Sequence, residues 1–208
     1  MIDKGFFITL EGGEGSGKTS LIQKLEVYLA SKGYSVVATR EPGGTKFGEH
    51  VRSLLLQHGG DVAFSAMAEL CLFLSARAQH VEEVIIPALH ENRVVLCDRY
   101  NDSSIAYQGE GRGLGMEEVE KFCHFASFNV NPNLTLYLDV TPDVGLKRVK
   151  EENLFARFEL EKMAFHKKVR SAFLELAKKD SNRIFIVDAS NTQEEVFLRS
   201  KEIIDKFL

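Results

Sequence analysis

Apolar and polar positions along the chain follow two different periods. Five short apolar runs read as strands: Phe6 to Glu11, Ser35 to Thr39, Val94 to Cys97 with Asp98 at its end, Leu134 to Asp139, and Ile184 to Val187. Between them, apolar residues recur at helical spacing. The first such segment is Gly17 to Ser31, carrying Leu21, Ile22, Leu25, Val27 and Leu29, with Gly33 as its stop signal. Val51, Leu54, Leu55 and Leu56 mark a second helix, closed by Gly59-Gly60. Phe64 to Glu91 is a long helical stretch in which Pro87 should bend the helix or start a new one. Helices are also expected from about residue 99 to 108, over Met116 to Ser127, from Thr141-Pro142 to about Val149, over Arg157 to Lys179, and over Thr192 to Phe207 with Thr192 as cap. Gly109 to Gly115 is too glycine-rich for regular structure and is expected to be mobile. Five apolar strands alternating with helices predict an α/β fold, a five-stranded parallel sheet covered by helices on both faces. The chain reads as a single domain over 1–208, with a short lid at about 149–157.

Candidate chemistry enters at the first strand. Gly12-x-x-x-x-Gly17-Lys18-Thr19 fits the phosphate-binding P-loop pattern, and it has the required strand before it and helix after it. Glycines at 12, 13, 15 and 17 let backbone N–H groups approach an anion, and the helix that follows points its positive end at the same place. Lys18 supplies a point charge for phosphates, and the Thr19 hydroxyl can ligate Mg²⁺. In parallel sheets ligands bind at the carboxyl ends of strands. The P-loop, Arg40–Thr45, Asp98–Gln108 and Asp188–Asn191 all fall there.

Composition changes the picture little. A net charge of −4 over 208 residues makes nucleic acid an unexpected partner. No apolar run approaches the roughly 20 residues that span a membrane, and no secretory signal is visible at the N-terminus. Cys71, Cys97 and Cys123 suggest neither a disulfide framework nor a metal site; Cys71 and Cys97 read as buried thiols within apolar runs. A cytoplasmic protein is expected. The six histidines show no metal-binding spacing, so no catalytic metal beyond Mg²⁺ is expected.

Other residues could carry chemistry. Asp98 ends a buried strand, where a Walker B-type carboxylate would sit near Mg²⁺, and Arg99 follows it. A salt bridge between these neighbours is the ordinary alternative, less favoured beside a P-loop. Asp98 to Gln108 packs Asp, Arg, Ser, Tyr and Gln into about three turns. Glu69, Phe73 and Arg77 share one helix face. On spacing alone Phe73 is core and Arg77 pairs with Glu69 or solvent; the other reading has Phe73 stacking on a base and Arg77 donating to it. Glu14 adds negative charge to a phosphate site, so it either faces solvent or accepts from a second ligand's hydroxyl. Lys147, Arg148, Lys150 and Arg157 form either a solvated face or a lid that brings cations to phosphates.

Several stretches together resemble the bacterial thymidylate kinases (dTMP kinases), a family of P-loop nucleoside monophosphate kinases, over nearly the whole chain. They are the P-loop run, Thr39-Arg40-Glu41-Pro42-Gly43-Gly44-Thr45, Leu72-Phe73-Leu74-x-Ala76-Arg77, Asp98-Arg99-Tyr100-x-x-Ser103-x-x-Ala106-Tyr107-Gln108-Gly109 and Leu136-Tyr137-Leu138-Asp139. The resemblance implies a three-layer P-loop kinase fold and transfer of the ATP γ-phosphoryl to dTMP, giving ADP and dTDP for dTTP biosynthesis. It implies ATP binding by Gly12, Gly13, Glu14, Gly15, Ser16, Gly17, Lys18, Thr19 and Ser190. It implies a dTMP pocket of Glu14, Pro42, Phe73, Arg77, Arg99, Ser104, Tyr107 and Gln108, with Phe73 stacking on thymine and Glu14 facing the 3′-hydroxyl. Thr19 and Asp98 would hold Mg²⁺; Lys18, Asp98, Arg99, Arg148 and Arg157 would serve catalysis; the family is typically homodimeric. The lid departs from the family pattern: Lys150 and Glu152 stand where arginines are expected, so Arg148, Lys150 and Arg157 share the candidacy for transition-state cation. Two other readings remain, a kinase for another nucleoside monophosphate and a nucleotide-dependent switch without phosphoryl transfer.

Overall fold

The computed structural model describes residues 5–56, 64–151 and 158–208. Its five strands are β1 (Phe6–Glu11), β2 (Val36–Arg40), β3 (Val94–Asp98), β4 (Leu134–Asp139) and β5 (Ile184–Asp188). They form one parallel sheet in the order β2-β3-β1-β4-β5. β1 lies at the centre because it is apolar on both faces: Ile8 and Leu10 enter one core and Phe7 another. The register aligns Leu10 with Asp98, Arg40 with Asp98, Glu11 with Tyr137, and Asp139 with Asp188. All five carboxyl ends therefore open on one edge of the sheet.

Helices cover both faces, as expected. On one face α1 (Lys18–Ser31) and α9 (Gln193–Ile204) bury Leu21, Leu25, Leu29, Ile203 and Ile204 against Ile8, Leu10, Leu96 and Leu136. α9 starts at a capping box between Thr192 and Glu195. The other face carries α3 (Ala66–His80), α4 (Ile86–His90) and α8 (Met163–Lys179), while α2 (Lys46–Leu56) packs on α3. Pro87 restarts the long helix: α3 passes through a π-helical turn, Val81–Ile85, and α4 begins with Pro87 in its first turn. A proline lacks the N–H and crowds the carbonyl four residues back, so the wider turn ahead of it accommodates the ring. After β3 the chain forms α5 (Asn101–Ser104), a second π-helical turn (Ile105–Gly111) and α6 (Met116–Ala126); α7 (Pro142–Glu151) follows β4. Arg183 clamps α5 to the sheet through two bonds to Asp102 (2.7 and 3.0 Å) and one to Thr135 Oγ1 (2.8 Å).

Several expectations are corrected. Val27 is 71% exposed, on the far side of α1 from Leu25. Cys71 is exposed, whereas Cys97 and Cys123 are buried thiols. Regular structure runs to Gly111, and the glycine-rich segment is tied back by Arg112 N–H to Tyr107 O, Leu114 N–H to Gln108 O and Gly115 N–H to Gly109 O. The helix expected from residue 157 begins at Met163, after a single 3₁₀ turn over Phe158–Leu160. Gly59-Gly60 and most of the expected lid lie outside the described residues. Among those described, no helix is long and apolar enough to cross a membrane.

The two α1 positions make a direct test. Leu25→Ala should cost about 3 kcal/mol and lower the melting temperature by about 10 °C, through lost burial and a cavity, while Val27→Ala should shift stability by less than about 0.5 kcal/mol. Paired thermal melts of the two variants check this; similar losses in both would mean that α1 is docked by a different face.

Candidate active site

The phosphate loop is shaped by its glycines. Gly17, in the left-handed region at φ 88°, caps α1, and among the described residues no side-chain cap bond is made to the first amides of that helix. They remain donors for an anion, and the first turn of α1 carries no acidic residue to compete. Gly15 lies so close to α7 that a Cβ there would sit 2.1 Å from Gly145 O. Lys18 folds back over the loop, its Nζ donating to Gly12 O (3.1 Å), Gly13 O (2.9 Å) and Ser16 Oγ (3.1 Å). Burial, helped by nearby Arg99, lowers its ammonium to about 8.

Beside the loop, Thr19 Oγ1 donates to Asp98 Oδ2 at 3.2 Å. Asp98 Oδ1 is buried and has no hydrogen-bond partner among the described residues. Arg99 turns into the cleft on a left-handed backbone, φ 69°. Its Nη1 donates to Gly12 O (2.9 Å) and Ser103 Oγ (3.2 Å), its Nη2 to Glu14 Oε1 (3.2 Å), and its guanidinium lies 5.0 Å from the Tyr107 ring. Asp98 thus bonds to Thr19, and Arg99 to the P-loop and Glu14, rather than to each other. Glu14 also accepts from the Tyr107 hydroxyl. Burial would raise the Glu14 carboxyl, but Arg99 and Lys18 outweigh it and hold the group below its ordinary range. Glu14 therefore points inward, not to solvent. Behind them Glu11 accepts from Tyr100 N–H (2.7 Å) and from Ser103 Oγ. Burial, reinforced by Asp102, raises its carboxyl to about 7.

At the far end of the same cleft sits Arg77, 2% exposed. It donates to Glu41 Oε2 (2.7 Å), Cys123 Sγ (3.3 Å), Tyr100 O (3.1 Å) and Ser104 Oγ (3.0 Å). Glu41, not Glu69, is its partner. Glu41 Oε1 also meets His80 Nδ1 (2.9 Å), and His80 Nε2 meets Thr39 Oγ1 (2.7 Å). Phe73 is half-buried and lines the cleft with Pro42, Ser104, Tyr107 and Gln108. The cleft, of about 1060 Å³, runs without interruption from Lys18 and Thr19 past Arg99 to Arg77 and Gln108.

The structure brings most of the expected site residues together, with differences. Gly12 and Gly13 lie behind the cleft wall and offer their carbonyls to Lys18. Ser190 also stands off the wall, which Ala189 and Asn191 supply; its carbonyl accepts from Arg148. Arg148 lines the cleft while donating to Gly15 O (3.3 Å) and Ala189 O (2.9 Å). Lys150 is exposed on α7, and Arg157 lies outside the described residues. Three residues escaped the sequence reading. Glu41 stood within the Arg-Glu-Pro-Gly-Gly-Thr run, where its buried position could have been suspected. Glu11 is the final strand residue before Gly12. Arg52, on α2, lines the cleft and donates to Pro42 O (2.9 Å), and nothing in its surrounding sequence marked it.

Comparison with known proteins agrees with this geometry. The family model described as thymidylate kinase matches residues 10–199. The chain is 48% identical to the thymidylate kinase of Protochlamydia amoebophila (strain UWE25), over 98% of this chain and 93% of that one. It is 45% identical to that of Shouchella clausii (strain KSM-K16), over 99% and 97%. The crystal structure of thymidylate kinase from Ehrlichia chaffeensis superposes with a TM-score of 0.76 at 33% identity, covering 96% of this chain and 98% of that one. With a P-loop and an arginine-floored second pocket sharing one cleft, and with these matches spanning almost its full length, the chain belongs to the thymidylate kinase family.

Proposed function

We propose that this protein is a nucleoside monophosphate kinase that transfers the γ-phosphoryl of ATP to dTMP, giving ADP and dTDP on the route to dTTP. One observation carries the reading: a single cleft is lined at one end by the P-loop residues Glu14 to Thr19 and at the other by Phe73, Arg77, Ser104 and Gln108, with Arg99 also in its wall. Two phosphate groups that must meet in line repel each other. Cations fixed at the junction offset that repulsion and stabilise charge on the transferring group. Lys18 leaves the Gly12 and Gly13 carbonyls for the β- and γ-phosphates. Arg99, already oriented by Gly12 O and Glu14, bridges donor and acceptor. Phe73 stacks on the base, Arg77 donates to its edge, and Ser104, Tyr107 and Gln108 complete the pocket. Glu14 accepts from the sugar 3′-hydroxyl, and Arg52, aimed at Pro42 O, lies within reach of the acceptor phosphate. No side-chain nucleophile is needed, because an oxygen of the dTMP phosphate attacks.

Mg²⁺ fits this site. The unpartnered Asp98 Oδ1 and the Thr19 hydroxyl are hard oxygen donors beside the P-loop, and the described residues contain no cluster of three acidic, His or Cys side chains that would bind a metal without a nucleotide. When bound, the ion neutralises charge on the β- and γ-phosphates. Arg148 is assigned to the wall between phosphate and adenine, with Ala189 and Asn191 beside it, and the transition-state cation is one of Arg148, Lys150 and Arg157. A homodimer is proposed from the exposed apolar residues Leu54, Met67, Phe122 and Phe125 on the packed layer of α2, α3 and α6. A cytoplasmic location is proposed with it.

ADP release with ATP and Mg²⁺ against a panel of monophosphates tests the function. Turnover should be strong with dTMP, weaker with dUMP, and near background with AMP, GMP, CMP or no acceptor. Preference for another monophosphate, or none, would overturn the reading. Lys18→Met should lower turnover by about 10³-fold or more. The Lys18 charge also predicts a pH dependence. Its ammonium, lowered to about 8, is lost from the free protein as pH rises through that value, whereas a bound triphosphate favours the charged form. ATP affinity should therefore be level below about pH 8 and weaken above it, by at most about tenfold per pH unit. Calorimetric titrations across that range check this, and the weakening should vanish in Lys18→Met.

A further inference from the structure

Glu69 lies behind the acceptor pocket, 1% exposed, and lines no part of the cleft. Its Oε1 accepts from Gln108 Nε2 (2.9 Å) and Arg112 Nε (3.1 Å), and its Oε2 from Arg112 Nη2 (3.1 Å). Arg112 is held in turn by Glu161 Oε1 (2.6 Å) and lies over the rings of Phe165 (4.8 Å) and Phe158 (5.6 Å). A carboxylate gripped in this forked way by an arginine can only accept. The Gln108 amide must therefore turn its NH₂ toward Glu69, since the reverse orientation would set two acceptor oxygens face to face. With its NH₂ engaged by Glu69, the group that Gln108, a lining residue of the cleft, has left to offer a ligand is its carbonyl oxygen. One helical turn earlier, Ser104 receives Arg77, which is tied to the acceptor Glu41 and can only donate. The pocket floor is thus a fixed donor beside a fixed acceptor.

Pyrimidines differ along the matching edge. Thymine presents a C4 carbonyl that accepts and an N3–H that donates; cytosine presents a C4 amino group that donates and an N3 that accepts. We infer that Glu69 is a positioning residue that sets base selectivity: by fixing the Gln108 amide, it suits the pocket to a 4-oxo pyrimidine monophosphate and sets it against a 4-amino one. This rests on reading the Arg77 pocket as the monophosphate site. Rejection by mismatched, buried hydrogen-bonding groups is stronger than rejection by shape alone, because the unmatched partners stay unsatisfied.

The test is Glu69→Gln in the full-length protein. An amide at position 69 can donate or accept, so the Gln108 amide is free to turn over. Kd values for dTMP and dCMP by calorimetry should show dTMP weakened by about tenfold and dCMP unchanged or tighter, so that the preference falls by about tenfold or more. KM for dTMP should rise with kcat changed less than about twofold, as expected when an interaction common to ground and transition state is lost. Equal weakening of both ligands, or no change in either, would overturn the inference and leave Glu69 a structural residue. If thermal melts show that Glu69→Gln does not fold, Gln108→Leu, which keeps the Glu69–Arg112 pair, carries the same expected fall in preference; an unchanged preference there overturns it equally. Failure of the wild-type protein to bind dTMP would instead overturn the reading of the pocket.

Discussion

The ion pair between Glu41 and Arg77, 2.7 Å long with both side chains buried, ties together the parts from which the site is made. Glu41 follows β2, Arg77 lies on α3, and the Arg77 guanidinium also reaches Tyr100 O and Ser104 on the segment after β3. Removing either charge would strand the other away from water, a loss of about 3–5 kcal/mol. Burial of such a pair adds little net stability, but it leaves the arginine few other orientations. In the wall of a cleft, that restriction matters more than the net stability.

The same device recurs along the cleft. Lys18 is a buried cation and Arg99 a partly buried one; Glu11, Glu41 and Glu69 are buried carboxylates and Glu14 a partly buried one, and they hold or face the cationic and amide groups. Burial alone would neutralise many of these groups; in each other's fields Glu14 and Glu41 are held below the ordinary carboxylate range. These two carboxylates are therefore charged before any ligand arrives, and their partners Arg99 and Arg77 are held in place by them.

The strands and their order of appearance were legible because a sheet covered on both faces requires unbroken apolar runs, and the P-loop was legible because its chemistry is local. Pro87 announced the break between α3 and α4 for an equally local reason. The pairings were not legible. Glu41 and Arg77 are 36 positions apart and Glu69 and Arg112 are 43 apart, so the spacing that put Glu69 and Arg77 on one helix face suggested the wrong partner. Exposure of Val27 and Cys71 depends on which side of a helix the sheet lies, which periodicity leaves open where apolar residues occur around the helix. Glycines between 109 and 115 carry no side-chain pattern, so the π-helical turn ending at Gly111 was invisible until its backbone bonds to Tyr107 and Gln108 could be seen.

The near-contact of Gly15 with Gly145 has a mechanical consequence. Two backbones meet there with no room for a side chain, and from the same helix Arg148 spans the carbonyls of Gly15 and Ala189. α7 thus joins the P-loop to the loop after β5, by backbone contact on one side and through the Arg148 side chain on the other. A side chain at position 15 or 145 would drive the helix off the P-loop and carry the Arg148 guanidinium with it.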